Sequence, residues 1–152
     1  WYLGGTANYD SSSNGLASHF YKYERGTTVY SGRSTSWIGK VGLMYPSDYG
    51  YATSGGTTTN RASCLSKEMY NWDDSSVSDC KNNDWMYNSN IWQWTISRRA
   101  GYSHYVFIVR SAGFVGDTIA NISNAARPVV HLKSTIKVIT GSGTKESPYI
   151  LE

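Results

Sequence analysis

Residues 95–130 read TISRRAGYSHYVFIVRSAGFVGDTIANISNAARPVV, and this stretch commits the chain to a β-rich plan. Tyr105–Ser111, a turn at Ala112-Gly113, and Phe114–Thr118 predict a hairpin. In the first strand Phe107 and Val109 share one face, and Ile108 and Arg110 share the other. In the second strand Val115 opposes Phe114 and Gly116. Such alternation lets one face pack a core while the other meets solvent. Val106 departs from the strict pattern. The run Trp92-Gln93-Trp94-Thr95-Ile96 leads into the hairpin as a further strand.

The same stretch lacks whole classes of residue. From Arg98 to Ala126 there is no Lys, Glu, Gln, Met or Trp, although the chain holds 7 Lys, 4 Glu, 1 Gln, 3 Met and 6 Trp elsewhere. An AAC codon changed freely at its two adenines never encodes any of those five, and never gives a stop. It does encode Tyr, Ser, Gly, Ala, Asn, Asp, His, Arg, Ile, Phe and Thr. Arg99, Tyr102, His104, Tyr105, Ile108, Arg110, Phe114, Asp117, Ile119 and Ile122 all belong to that accessible set. The pattern is the expected mark of adenine-directed mutagenesis by a diversity-generating retroelement. The plainer alternative is a Gly/Ser/Tyr-rich β region that lacks long side chains.

Several segments outside the window carry a resemblance. They are Tyr23-Glu24-Arg25-Gly26, the run Gly42-Leu43-Met44-Tyr45-Pro46-Ser47-Asp48-Tyr49-Gly50-Tyr51-Ala52, and Cys64 and Cys80 followed by Asn82-Asn83-Asp84-Trp85. Further on come Trp94-Thr95-Ile96-Ser97, Arg127-Pro128-Val129-Val130, and Gly143-Thr144 before Pro148-Tyr149. With these, the chain resembles the variable proteins of diversity-generating retroelements, of the surface and pilin-associated type from gut bacteria. The likeness covers nearly the whole chain, and Gly42–Ala52 is its most specific part. It departs at Arg98, where the family carries Pro, and at Ala125-Ala126, where Gly-Val is commoner.

The resemblance implies an α+β fold of C-type-lectin-like kind: two short helices, a twisted antiparallel sheet, and paired N- and C-terminal strands. It implies one domain over residues 1–152 with a hypervariable segment at about 98–126. Val106, Phe107, Val109, Gly113 and Val115 belong to the constant frame. The expected ligand-binding residues are Arg99, Gly101, Tyr102, His104, Tyr105, Ile108, Arg110, Ala112, Phe114, Gly116, Asp117, Thr118, Ile119, Asn121, Ile122, Ser123 and Asn124. Some relatives place such a domain after a pilin-like N-terminal helix.

Composition fits a secreted, loop-rich domain. Charged residues are only 16% of the chain, aromatic residues 14%, and Gly numbers 15. The length suffices for a single core. With a formal charge of +3 and no Lys/Arg run, nothing points to nucleic acid or an anionic membrane. No apolar run approaches the ~20 residues that span a bilayer. The chain opens at Trp1 without a signal peptide, and removal of an export signal or anchor is the expectation. Cys64 and Cys80 make at most one intrachain bridge. It would close a loop of about 16 residues and stabilise the fold by ~3 kcal/mol, in an oxidising, extracellular compartment. No His or Cys has metal-ligand spacing, so neither metal nor cofactor is expected.

Trp1-Tyr2-Leu3 predicts a short strand stopped at Gly4-Gly5, and Asp10–Asn14 a polar loop. Leu16, Phe20 and Tyr23 recur at helical spacing before Gly26. Thr27–Tyr30 is β-prone, Ser31–Ser34 a turn, and Trp37–Met44 a strand halted at Pro46, with Asp48 as a hydrogen-bonded corner. Ser54–Asn60 reads as a flexible loop. Leu65, Met69 and Trp72 predict a second helix over Arg61–Trp72. Asp73, Asp74, Asp79, Asn82, Asn83 and Asp84 are oxygen-rich but match no calcium loop, and read as caps of helix ends. Arg127–Lys133 is a strand in which Arg127 makes a salt bridge or carbonyl contact. Ile136–Ile139 and Tyr149–Leu151 form a terminal hairpin.

Three functions fit such a chain. The first is a binding module at a bacterial cell surface or pilus, facing an unknown protein or glycan ligand at a cell or phage surface. Tyr102, Tyr105 and Phe114 would anchor it, since rigid aromatics give contact area at low entropic cost. The second is an enzyme, because formylglycine-generating enzymes share the C-type-lectin-like fold. Their chemistry needs reactive cysteines, no catalytic triad or carboxylate pair stands out, and a non-enzyme is expected. The third is a structural pilin or wall subunit, which has no reason to diversify a surface.

Overall fold

The computed structural model describes residues 1–4, 15–27, 33–144 and 146–152. The expected loop at Asp10–Asn14 lies outside these residues, as do most of Thr27–Tyr30 and the first half of the Ser31–Ser34 turn. The described elements, in chain order, are α1 (Ala17–Glu24), β1 (Gly42–Leu43), α2 (Pro46–Ala52), α3 (Arg61–Leu65), α4 (Ser78–Asn82) and β2 (Gln93–Arg98). They continue with β3 (Tyr105–Val109), β4 (Val115–Ile119), β5 (Pro128–Val129), β6 (Val138–Thr140) and β7 (Ile150–Leu151). The fold is mixed α+β with short helices. Every strand pairing between these elements is antiparallel: β2-β3-β4, β1-β5 and β6-β7.

The core lies between the helices and one face of β2-β3-β4. Met44, Tyr49, Cys64, Met69, Trp72, Cys80 and Val109 are fully buried within one cluster that also holds Phe20, Phe107 and Val115. Phe20 of α1 meets Phe107 of β3 edge to face at 5.1 Å. α1 and α2 approach closely because Gly50 has no side chain: a Cβ there would sit 2.6 Å from the Ala17 Cβ and 2.4 Å from the Met69 sulfur. The Cys64–Cys80 disulfide forms as expected, with Cα atoms 5.4 Å apart, and ties α3 to α4 inside this core.

Two carboxyls are buried with the core. Glu24 accepts from the Ser47 amide at 2.9 Å, from the Ser47 hydroxyl and from Arg25. Burial nevertheless pushes its carboxyl up to about 7 from an ordinary 4.5, the bonds from Ser47 and the charge of Arg25 pulling the other way. Burial likewise raises Asp84 to about 7. The folded state therefore holds these protons more tightly than the unfolded chain. Their contribution to stability is complete below the ordinary carboxylate range and is lost as pH rises through 7. Melting temperature is thus expected to fall between pH 4.5 and 7.5 and then level off, and Glu24→Gln should flatten part of the fall. A melting curve that climbs steadily over that interval would contradict the assignment.

Local chemistry explains where the elements differ from expectation. Among the described residues four α-helices form rather than two. Pro46 opens α2 instead of halting structure: it occupies the first helical turn, where its missing N–H costs nothing. Asp48 accepts from the Tyr45 amide at 2.9 Å and completes a capping box, the expected hydrogen-bonded corner. The expected Arg61–Trp72 helix ends at Leu65 and resumes as a single turn at Met69–Asn71, because the Met69 amide is taken by the Gly15 carbonyl at 2.9 Å. The Ser54–Asn60 loop is fixed: Asp79 accepts from the amides of Thr58 and Thr59 at 2.8 and 2.9 Å. Asp74 caps the turn at Ser75–Val77 through the Ser76 amide. Only Gly42–Leu43 of the expected Trp37–Met44 strand is strand, and only Pro128–Val129 of Arg127–Lys133.

The expected pairing of the two chain ends does not occur. Tyr2 pairs with Ser36, with Leu3 N–H to Thr35 O and Trp37 N–H to Trp1 O both at 2.9 Å. The Trp1 indole also donates to Gly39 O at 3.0 Å, which holds the first residues on this loop. At the other end β7 pairs with β6, as the terminal hairpin requires. A short local connection is closed at less entropic cost than a contact across the whole chain.

Candidate functional site

The window 98–126 is mounted on β2, β3 and β4, with β3 in the middle. Beneath it the buried face of β2 is polar: Gln93, Thr95 and Ser97. Each of the first two has a fixed task. The Thr95 hydroxyl donates to Phe107 O at 2.8 Å. Gln93 donates to Met86 O at 3.1 Å and accepts from Arg127 at 2.9 Å. Arg127 also donates to Met86 O, the expected carbonyl contact. The window's later part is held by its main chain, through Ala120 N–H to His104 O, Trp94 N–H to Ala125 O and Ala125 N–H to Trp92 O, all at 2.8–2.9 Å.

One side-chain cluster gathers at the open end of the hairpin. Arg99 and Asp117 form an ion pair at 2.7 Å, each about a quarter exposed. The guanidinium sits 4.3 Å from the Tyr102 ring centre and 5.9 Å from that of Tyr105. Tyr102 packs edge-on to Tyr105 at 5.6 Å, and His104 lies against Tyr105 at 4.9 Å. Tyr102 and His104 remain exposed. Next to them opens a cavity of about 570 Å³ lined by His104, Ile119, Ala120 and Asn121.

A second cluster lies toward the turn. The Arg110 guanidinium stands between Trp92, 4.5 Å from its ring centre, and Phe114, at 5.5 Å, and donates to Asp117 O at 3.0 Å. Phe114 meets Tyr70 edge-on at 5.4 Å. The Trp92 indole donates to the Ser111 hydroxyl at 3.2 Å. Beside Trp92 a cavity of about 320 Å³ is lined by Ile91, Trp92, Ser123, Asn124 and Ala125.

No family model, curated protein or solved structure matches this chain. Among the described residues no three His, Cys, Asp or Glu side chains are grouped to hold a metal ion. No helix among them is long and apolar enough to cross a membrane.

The structure brings the expected ligand residues together in two groups rather than on one surface. Strand register puts Tyr105, Asp117 and Ile119 on the Phe107 side of the sheet, and Ile108, Gly116 and Thr118 on the other. Gly101, Ala112, Asn121, Ile122 and Ser123 are exposed, and Thr118 and Asn124 are half-buried. Two residues are corrected. Ile108 is fully buried and Gly116 is buried, so neither lies on the exposed surface expected of a ligand contact. Ile108 sits in the central strand between Trp94 and Gly116. A Cβ on Gly116 would lie 2.8 Å from the Arg110 Nε and 3.2 Å from the Phe114 ring, so those two side chains roof the strand there.

The sequence did not single out Tyr70, Ile91, Trp92, Ala120 and Ala125 as site residues. Trp92 was open to recognition, since it flanks the window and leads into β2. Tyr70 gave no signal, because only the fold carries it to Phe114.

Proposed function

We propose that this chain is a ligand-binding domain of C-type-lectin-like type, displayed at a bacterial cell surface or pilus. Its segment 98–126 is the face diversified by a retroelement, and the ligand is a protein or glycan on another cell or a phage. The observation that carries this reading is the cavity bounded by His104, Ile119 and Asn121 beside exposed Tyr102. All four of its lining residues, His104, Ile119, Ala120 and Asn121, belong to the accessible-codon set. A concave, largely apolar site with a few polar groups at its rim is the usual form of a binding pocket. The disulfide supports an oxidising location. It also occupies both cysteines, which favours binding over thiol chemistry.

Two measurements test the proposal. The genomic neighbourhood should hold a reverse transcriptase gene and a near-copy of the 98–126 coding segment, with adenines at the codons for Tyr102, His104 and Tyr105. A locus with neither sinks the diversification. The protein should also bind members of an array of glycans and of cell- and phage-surface proteins. Tyr102→Ala and His104→Ala should each weaken that binding by about tenfold or more with the melting temperature unchanged. Binding indifferent to both substitutions would move the ligand site elsewhere.

A further inference from the structure

The turn between β3 and β4 is gripped in an unusual way. Three scaffold side chains donate to three consecutive backbone carbonyls: the Tyr87 hydroxyl to Ser111 O at 2.8 Å, the Lys81 ammonium to Ala112 O at 2.8 Å, and the Tyr49 hydroxyl to Gly113 O at 2.7 Å. The turn closes on itself through Gly113 N–H to Arg110 O and Arg110 N–H to Phe114 O. Tyr49 is fully buried in the core and Tyr87 packs against it, so both donors are fixed by the scaffold. Lys81 follows the bridged Cys80 on α4.

We infer that Tyr49, Lys81 and Tyr87 are positioning residues that hold this turn through its main chain and leave the side chain at position 112 free. Every residue supplies a carbonyl, whatever its side chain. Ala112 is exposed, and nothing in the grip depends on its methyl group. Gly113 is the exception. It has φ +91°, which side chains rarely adopt, and a Cβ there would lie 2.3 Å from the Lys81 stem. Ser111 is intermediate, since its hydroxyl also accepts from Trp92. The boundary between free and fixed positions thus falls inside a three-residue turn. The purpose of such a grip rests on the ligand-display reading, but its existence does not.

Amide hydrogen exchange on the unliganded protein tests it. Tyr87→Phe and Lys81→Met each remove one donor and little volume. Exchange at the Gly113 and Arg110 amides should rise about tenfold for Tyr87→Phe, the equivalent of one lost hydrogen bond, and less for the more exposed Lys81. Amides of α1 and α2 should not change. Ala112→Tyr and Ala112→Asp should leave the exchange of Gly113 within about twofold of the parent. The inference is overturned if Ala112→Tyr or Ala112→Asp loosens the turn as much as Tyr87→Phe, or if neither donor variant loosens it. No ligand enters the experiment, so failure of the ligand-display reading would show only in the array binding and genomic tests.

Discussion

Ile108→Ala is expected to lower the free energy of unfolding by about 2–5 kcal/mol, whereas Tyr102→Ala and His104→Ala should each shift it by no more than about 0.5 kcal/mol. All three residues lie in the same short window and belong to the same accessible-codon set. What separates them is position. Ile108 is fully buried in the central strand, and Tyr102 and His104 are exposed at the end of the hairpin. Removing a buried side chain loses its transfer energy and leaves a cavity that the rigid sheet closes poorly. Removing an exposed ring loses little that water does not replace. Urea denaturation followed by tryptophan fluorescence would measure the difference, and three similar midpoints would show that the burial of Ile108 is wrong. The result bears on the proposed diversification too, because a core position sampled at random would cost the protein much of a total stability of only ~5–15 kcal/mol.

Removing the bridge, as Cys64→Ala with Cys80→Ala, should cost about 3 kcal/mol for a loop of this length. For a chain of this size that is a fall in melting temperature of about 6–12 °C. Cys64 and Cys80 are both fully buried in the core cluster, so reduction alone should be slow until the fold opens. Calorimetry of the double variant, and of the wild type with and without reductant, would check both statements. A double variant that melts with the wild type would mean that α3 and α4 are held by packing alone.

Much of the fold was legible because it is local. The β3–β4 hairpin, α1 and the β6–β7 hairpin each show their own period and their own turn residues, and each forms close to where the pattern places it. The bridge was legible because two cysteines leave one choice. What was not legible depends on contacts between distant segments. Alternation put Ile108 on the outward face, and it does point away from the Phe107 core. Only the folded structure shows Arg110 and Phe114 closing over Gly116 beside it. In the sequence Pro46 predicts a stop, because the residue before a proline is held extended. Tyr45 is extended, but the helix begins immediately afterwards. Tyr70 joined the candidate site through a fold contact that no spacing in its own segment announces.

The β6–β7 ribbon has a consequence for any experiment that follows unfolding. Both strands are exposed along their whole length, and Val138, Ile139, Ile150 and Leu151 each keep between two-fifths and three-fifths of their surface in water. A two-stranded ribbon on its own is marginally stable, so it should open and close many times while the Trp72 core stays shut. Tyr149, at the edge of that ribbon, therefore watches a different event from Trp72. A label or cleavage site near Tyr149 would time the local breathing of the last segment. The indole of Trp72 would time the loss of the whole domain, and the gap between the two clocks would measure how weakly the ribbon is coupled to the rest.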